Sequence, residues 1–192
     1  MAKWGGITIG EVAVLGRHVA LIRGINVGRA KRVAMADLRV LLANLGYRDV
    51  RTLLNSGNIV FTVPPKIRDA PAIRIERALA SRLGLSARVT VLTAMDLAAA
   101  IAENPLGRVA DNPSRLLVFV LMNPPDRSKL KELTERDWGP EAIEIGRRVA
   151  YLWCPAGIIE SPLAAAAGRI LGDAVTVRNW ATMSKLHALV GS

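Results

Sequence analysis

The amino-acid sequence predicts an α+β fold made of two like halves in tandem, each an antiparallel sheet with helices over one face. Three observations carry that prediction. Apolar runs of strand length alternate with segments whose apolar residues recur at helical spacing. Two pairs of strands are joined by hairpin signals. The order of elements, β-α-β-β-α-β, then occurs twice with a shift of about 90 residues.

Residues 1–17 carry no clear periodicity and are expected to form an N-terminal extension. Residues 18–25 (HVALIRGI) are a short, mostly apolar run, the mark of a buried strand. A loop punctuated by glycine follows, with Asn26, Gly28, Arg29, Lys31 and Arg32. Met35, Leu38, Leu41, Leu42 and Leu45 recur at helical spacing, and Gly46 supplies the stop. Residues 50–54 and 58–63 form two strands joined by Asn55-Ser56-Gly57, a turn whose residues tolerate positive φ. Pro64-Pro65 breaks the chain; Ile73, Ile75, Leu79 and Leu83 then mark a second helix ending at Gly84, and residues 87–92 a fourth strand.

A linking helix over 94–103 and a loop containing Pro105, Gly107 and Pro113 lead into the second round. Residues 115–122 (RLLVFVLM) are its first strand, and 126–137 a charged helix. Residues 141–145 and 149–153 form a hairpin turning at Gly146-Arg147-Arg148. Ser161 is placed to cap a helix that runs to Leu171 and stops at Gly172. A short strand over 174–177 and a helix over 183–190 complete the chain. A βαββαβ unit is the ferredoxin-like, or split βαβ, arrangement. The expected division is therefore a first ferredoxin-like half at 18–93, a linking helix and loop at 94–114, and a second half with its C-terminal helix at 115–192.

Three stretches together resemble a known family. They are Leu21-Ile22-Arg23-Gly24-Ile25-Asn26-Val27-Gly28 followed by Met35-Ala36-Asp37-Leu38-Arg39; Ser56-Gly57-Asn58-Ile59-Val60-Phe61; and Arg178-Asn179-Trp180 with Thr182 and Lys185. The combination resembles the bacterial family known as domain of unknown function 1697, over about residues 18–190. The resemblance implies the fold and no agreed activity. The family usually has glycine after this loop motif and proline before the methionine, where this chain has Arg29 and Ala34; its loop is stiffer and more basic.

Composition narrows the function classes. The chain has 192 residues with 26 basic against 16 acidic side chains, a net charge of +10. Such a surplus suits an acidic partner, whether a phosphorylated small molecule or nucleic acid. Twenty of the bases are arginine and only six lysine, the bias a GC-rich genome writes into any surface. The longest apolar runs fall far short of the roughly 18 residues of a membrane span, and Glu11 spoils the N-terminus as a signal peptide. A cytoplasmic protein is expected, and the apolar surplus permits a homodimer. Cys154 is the only cysteine, and His18 and His187 stand at opposite ends of the chain, so no metal site and no cofactor are expected. Cys154 reads as a buried structural thiol. No nucleophile elbow or paired carboxylates in an apolar setting occur, so whether the protein is an enzyme stays open; catalysis by positioning and electrostatics alone is the remaining form.

The candidate ligand-binding residues are Arg23, Gly24, Asn26 and Gly28 in the first loop, Asn55 and Ser56 in the hairpin turn, and Arg178, Asn179, Trp180 and Lys185 near the C-terminus. Glycines let a backbone approach an anion closely while arginines supply charge. An aromatic beside Arg and Lys suits a phosphate with a stacked ring. The plainer reading of each is turn chemistry, solvated bases and a core tryptophan. The first loop and the hairpin turn are expected at opposite edges of their sheet, whereas the 178–180 element meets the Arg23 loop if the halves pack face to face. The alternative is a nucleic-acid-associated protein. With 4% aromatics, and only Phe61, Tyr151 and Trp153 on the relevant strands, its binding would be phosphate-driven.

Overall fold

A computed structural model of the chain describes residues 16–26 and 32–192. The expected N-terminal extension therefore lies almost wholly outside the described residues, as does Gly28. The first half comprises β1 (Arg17–Ile22), α1 (Met35–Asn44), β2 (Arg48–Leu53), β3 (Asn58–Thr62), α2 (Pro71–Leu83) and β4 (Val89–Thr93). The linking helix is α3 (Ala94–Ala102). The second half comprises β5 (Leu116–Leu121), a 3-10 segment (Pro124–Leu130) running into a single turn α4 (Lys131–Thr134), β6 (Ala142–Ile145), β7 (Val149–Trp153), α5 (Pro162–Leu171) and β8 (Val175–Asn179). Helix α6 (Trp180–Gly191) follows. The sheets have the orders β2-β3-β1-β4 and β6-β7-β5-β8, every neighbouring pair antiparallel. The α+β fold of two like halves in tandem is as the sequence predicts.

Two helices differ from expectation. The charged helix over 126–137 is instead a 3-10 segment and one α-turn. Pro124 and Pro125 open it without N–H donors, and only Leu130 and Leu133 along it are buried, too little for a longer amphipathic helix. Helix α6 starts three residues earlier than the apolar spacing suggests, because Asn179 caps it: its Oδ1 accepts the Thr182 N–H at 2.9 Å. Ser161 caps α5 as expected, accepting the Ala164 N–H at 2.9 Å. Thr93 and Asp96 form a reciprocal capping box at the start of α3.

The central strand β5 is apolar throughout, and β1 from Val19 onward, because both faces are buried there. Ala20 and Ile22 face α1 and α2 in one core, while Val19 and Leu21 face α3 and α6 in another. Likewise Leu117, Phe119 and Leu121 pack on α5, and Leu116, Val118 and Val120 join the core that contains α3 and α6. Each half thus keeps its own helices over one face of its sheet, and the opposite faces of both sheets share a third core.

A short repeat relates the halves. Val89-Thr90-Val91 opens β4 and Val175-Thr176-Val177 opens β8. The Thr90 and Thr176 hydroxyls, 86 residues apart, hydrogen-bond to each other at 2.9 Å in a buried position. The same place in the repeat meets itself, which requires an approximate two-fold relation. Backbone contacts follow it: Ile22 N–H donates to Gly57 O and Leu121 N–H to Arg148 O, while Arg23 N–H donates to Arg88 O and Met122 N–H to Ala174 O. In this register Arg178 stands where the other half has Leu92, a fully buried core side chain.

Candidate functional site

The exit of β1 and the β2–β3 turn sit side by side, which corrects the expectation that they lie at opposite edges. Sheet order is the reason: β1 and β3 are antiparallel neighbours with Leu21 opposite Asn58, so the end of one lies against the start of the other. Ile22 N–H donates to Gly57 O at 2.8 Å, and Asn26 Nδ2 donates to Asn55 O at 2.9 Å. The approach demands glycine at position 57. Its φ is +73°, and a Cβ there would fall 2.7 Å from Ile25 Cδ1 and 2.9 Å from Ile22 Cβ. Asn26, itself at a φ of 57°, closes the loop between its described ends: Nδ2 donates to Val33 O at 3.0 Å and Oδ1 accepts the Val33 N–H at 2.8 Å.

Arg178 enters this corner from β8. Its Nε donates to Asn58 Oδ1 at 2.6 Å, Nη1 to Val177 O at 2.8 Å, and Nη2 to both Ile22 O and Ser56 O at 2.8 Å. No carboxylate pairs with it among the described residues; the charge is met by oxygens of neutral groups. Burial pulls its guanidinium down to about 10, which still leaves it protonated at neutral pH. Arg178 is thus a fork that fastens the second half to the first, with most of its donors occupied. Arg23 is engaged in the same way: its Nη1 donates to Gly172 O at 3.0 Å and pairs with the Asp173 carboxylate at 2.5 Å.

The remaining candidates divide. Ser56 gives its carbonyl to Arg178, and its Oγ accepts from Asn58 Nδ2 at 2.9 Å. Asn179 is the α6 cap, and Trp180 begins that helix with its ring at an edge to Tyr151, centroids 6.5 Å apart. Gly24, Asn55 and Lys185 are exposed. The structure therefore gathers Arg23, Asn26, Asn55, Ser56 and Arg178 at one corner, but turns the two arginines toward protein acceptors. Asn58, buried and central to that network, is a polar residue set before the apolar run Ile59-Val60-Phe61; that misfit was its signal in the sequence. The corner's open side is a cavity of about 570 Å³ lined by Asn26, Arg32, Val33, Ala34, Met35 and Asn55, with Asp37.

Elsewhere the reactive groups are engaged structurally. Cys154 is fully buried, and burial pushes its thiol up to about 11. The His18 ring packs on Phe61 at 5.8 Å, with Nδ1 3.0 Å from Gly16 O. Among the described residues no three His, Cys, Asp or Glu side chains cluster to hold a metal, and no helix is long and apolar enough to cross a membrane.

The family described as "Protein of unknown function (DUF1697)" matches residues 15–151. The chain belongs to this family. The DUF1697 match takes in the Arg23 loop and the Asn55–Asn58 turn and ends before Arg178 and the α6 cap. No curated protein matches the chain. Among solved structures it is similar to the conserved bacterial protein SP0830 from Streptococcus pneumoniae, at 24% identity and a TM-score of 0.71. The alignment covers 91% of this chain and 98% of that one. That likeness concerns the fold.

Proposed function

We propose that the protein binds a small anionic ligand in the recess between the loop after β1 and the start of α1. The observation that supports this is the 570 Å³ cavity, which opens where α1 begins without a side-chain cap. Ala34 has no side-chain acceptor for the first-turn N–H groups; its carbonyl takes the Asp37 N–H at 3.1 Å, and the positive end of the helix favours an outside oxygen. Arg32 is exposed on the cavity wall and counters Asp37 in the first turn, while Asn55 supplies a side-chain amide; Asn26, whose amide is committed to Val33 and Asn55, shapes the wall. Arg178 frames this site rather than touching the ligand, because its donors are committed to the carbonyls of Ile22 and Ser56, and Arg23 is turned away to Gly172 and Asp173 through Nη1.

Thermal unfolding of wild type and Arg32→Ala against inorganic phosphate, a sugar phosphate, a nucleotide and a short oligonucleotide tests the proposal. A ligand at 100 times its dissociation constant stabilises by about 2.7 kcal/mol, a rise of roughly 5–10 °C for a chain this size. The expected result is such a rise with one small anion, lost in Arg32→Ala. A rise with the oligonucleotide alone, abolished by salt, would favour a nucleic-acid partner. No response to any of them would end the anion proposal.

A further inference from the structure

The approximate two-fold gives the molecule a second corner, equivalent to the one that Arg178 fills. There the exit of β5 meets the β6–β7 turn, through Leu121 N–H on Arg148 O at 2.9 Å. The residue of β4 equivalent to Arg178 is Leu92, which stays in the core, so β4 sends no arginine across. An arginine arrives from the opposite side instead. Arg148, on the turn, places Nη1 3.0 Å from Asp96 and Nη2 3.5 Å from Val91 O, the carbonyl equivalent to Val177 O, and its buried Nε has no partner. Arg178 is held by four bonds of 2.6–2.8 Å; Arg148 has one good bond and one stretched one.

The second corner is also open. A cavity of about 730 Å³ lies between α3, the β6–β7 turn and the Pro124–Leu130 segment. It shares the wall formed by Arg127, Arg147 and Tyr151 with an adjoining recess of about 450 Å³ that reaches Lys131. Its size suits a small molecule, for which about 300–1,000 Å³ is usual. Met95, Ala99, Pro124 and Pro125 give the main cavity an apolar wall. Arg127, Arg147 and Arg148 line the main cavity and Lys131 the adjoining recess, so the two together carry four cations against two carboxylates: Glu103, 2.7 Å from Arg147, and Asp96. The surplus of two positive charges matches a phosphate monoester, which carries about −1.5 to −2 at neutral pH. A single carboxylate would offset only half of it.

The geometry points to this groove as a binding site for a phosphate monoester with an apolar or aromatic body. The phosphate lies between Arg127 and Arg147, and the body rests on Met95, Ala99 and Pro124. Titration calorimetry with phenyl phosphate, inorganic phosphate and phenol tests it on the full chain. Phenyl phosphate is expected to bind at least about tenfold more tightly than inorganic phosphate, and phenol not measurably. Arg127→Ala and Arg147→Ala, both at exposed positions, are each expected to weaken phenyl phosphate by about tenfold or more without changing the melting temperature. Arg32→Ala, in the other recess, is expected to leave that affinity unchanged. Equal affinities for phenyl and inorganic phosphate, or binding indifferent to both groove variants, would overturn the assignment. Loss in Arg32→Ala alone would place the anion in the α1 recess, overturning the groove while sparing the earlier proposal; loss in the groove variants alone supports the groove whatever becomes of that recess.

Discussion

At Arg178 the shape of the side chain matters as much as its charge. Its donors span acceptors on β1, the β2–β3 turn and its own strand, which a planar guanidinium reaches and a point-like ammonium does not. Arg178→Ala and Arg178→Lys are both expected to cost about 3 kcal/mol, since either strands carbonyls that have left water. In thermal melts that is a fall of roughly 6–12 °C; a lysine variant melting with wild type would show that charge alone suffices. The sequence marks Arg178, Asn26 and Ser56 as unusual but suggests ligand contacts for them. Their true partners are mostly backbone oxygens, with those of Ile22 and Ser56 156 and 122 residues away from Arg178. Every residue carries a carbonyl, so no residue type betrays such an acceptor.

A helix boundary is legible where its deciding interaction is local and has no rival reading. Ser161 caps α5 through a residue three positions on, and that spacing is visible in the sequence. Asn179 does the same for α6, yet beside Arg178 and Trp180 it reads equally well as a ligand group. Asn179→Ala is expected to lower stability by about 1 kcal/mol and Asn179→Asp to retain the cap. Melting curves separate the two outcomes, and an alanine variant as stable as wild type would remove the capping role. The Val-Thr-Val repeat of β4 and β8 is three residues long, too short to stand out before the strands are seen touching.

The whole molecule is held by a core that both halves share. Tyr151 from the second sheet sits with Val19 and Leu21 from the first, and its hydroxyl donates to Ala100 O of α3 at 2.8 Å. Burial raises the Tyr151 phenol to about 12 and the Cys154 thiol to about 11. Both are acids held neutral by the fold. Their contribution is therefore complete below about pH 8, where unfolded chains also keep both protonated, and is lost as pH rises through 11 and 12. Unfolding followed by denaturant is expected to remain one transition while stability falls by roughly 2 kcal/mol per group between pH 9 and 12. A Tyr151→Phe variant losing stability over that range as steeply as wild type would show that the Tyr151 phenol is more hydrated than its burial implies. The shared core is also why neither sheet face reads as solvent-exposed: β1 and β5 alternate between two apolar surroundings, not between core and water.

The sequence by itself determined the class, the order of the elements and the tandem of two like halves. These rest on periodicity, turn chemistry and caps, which act over a few residues. Tertiary structure alone decided how the candidate side chains are used. Sheet order set the Asn26 loop beside the Asn55 turn, and the two-fold carried Arg178 into one corner while leaving Leu92 in the core at the other. A strand's pattern states which faces are buried, but its neighbours in the sheet are chosen by packing across the whole chain. For that reason one corner is filled by a fork of four bonds and its counterpart is an open, positively charged groove.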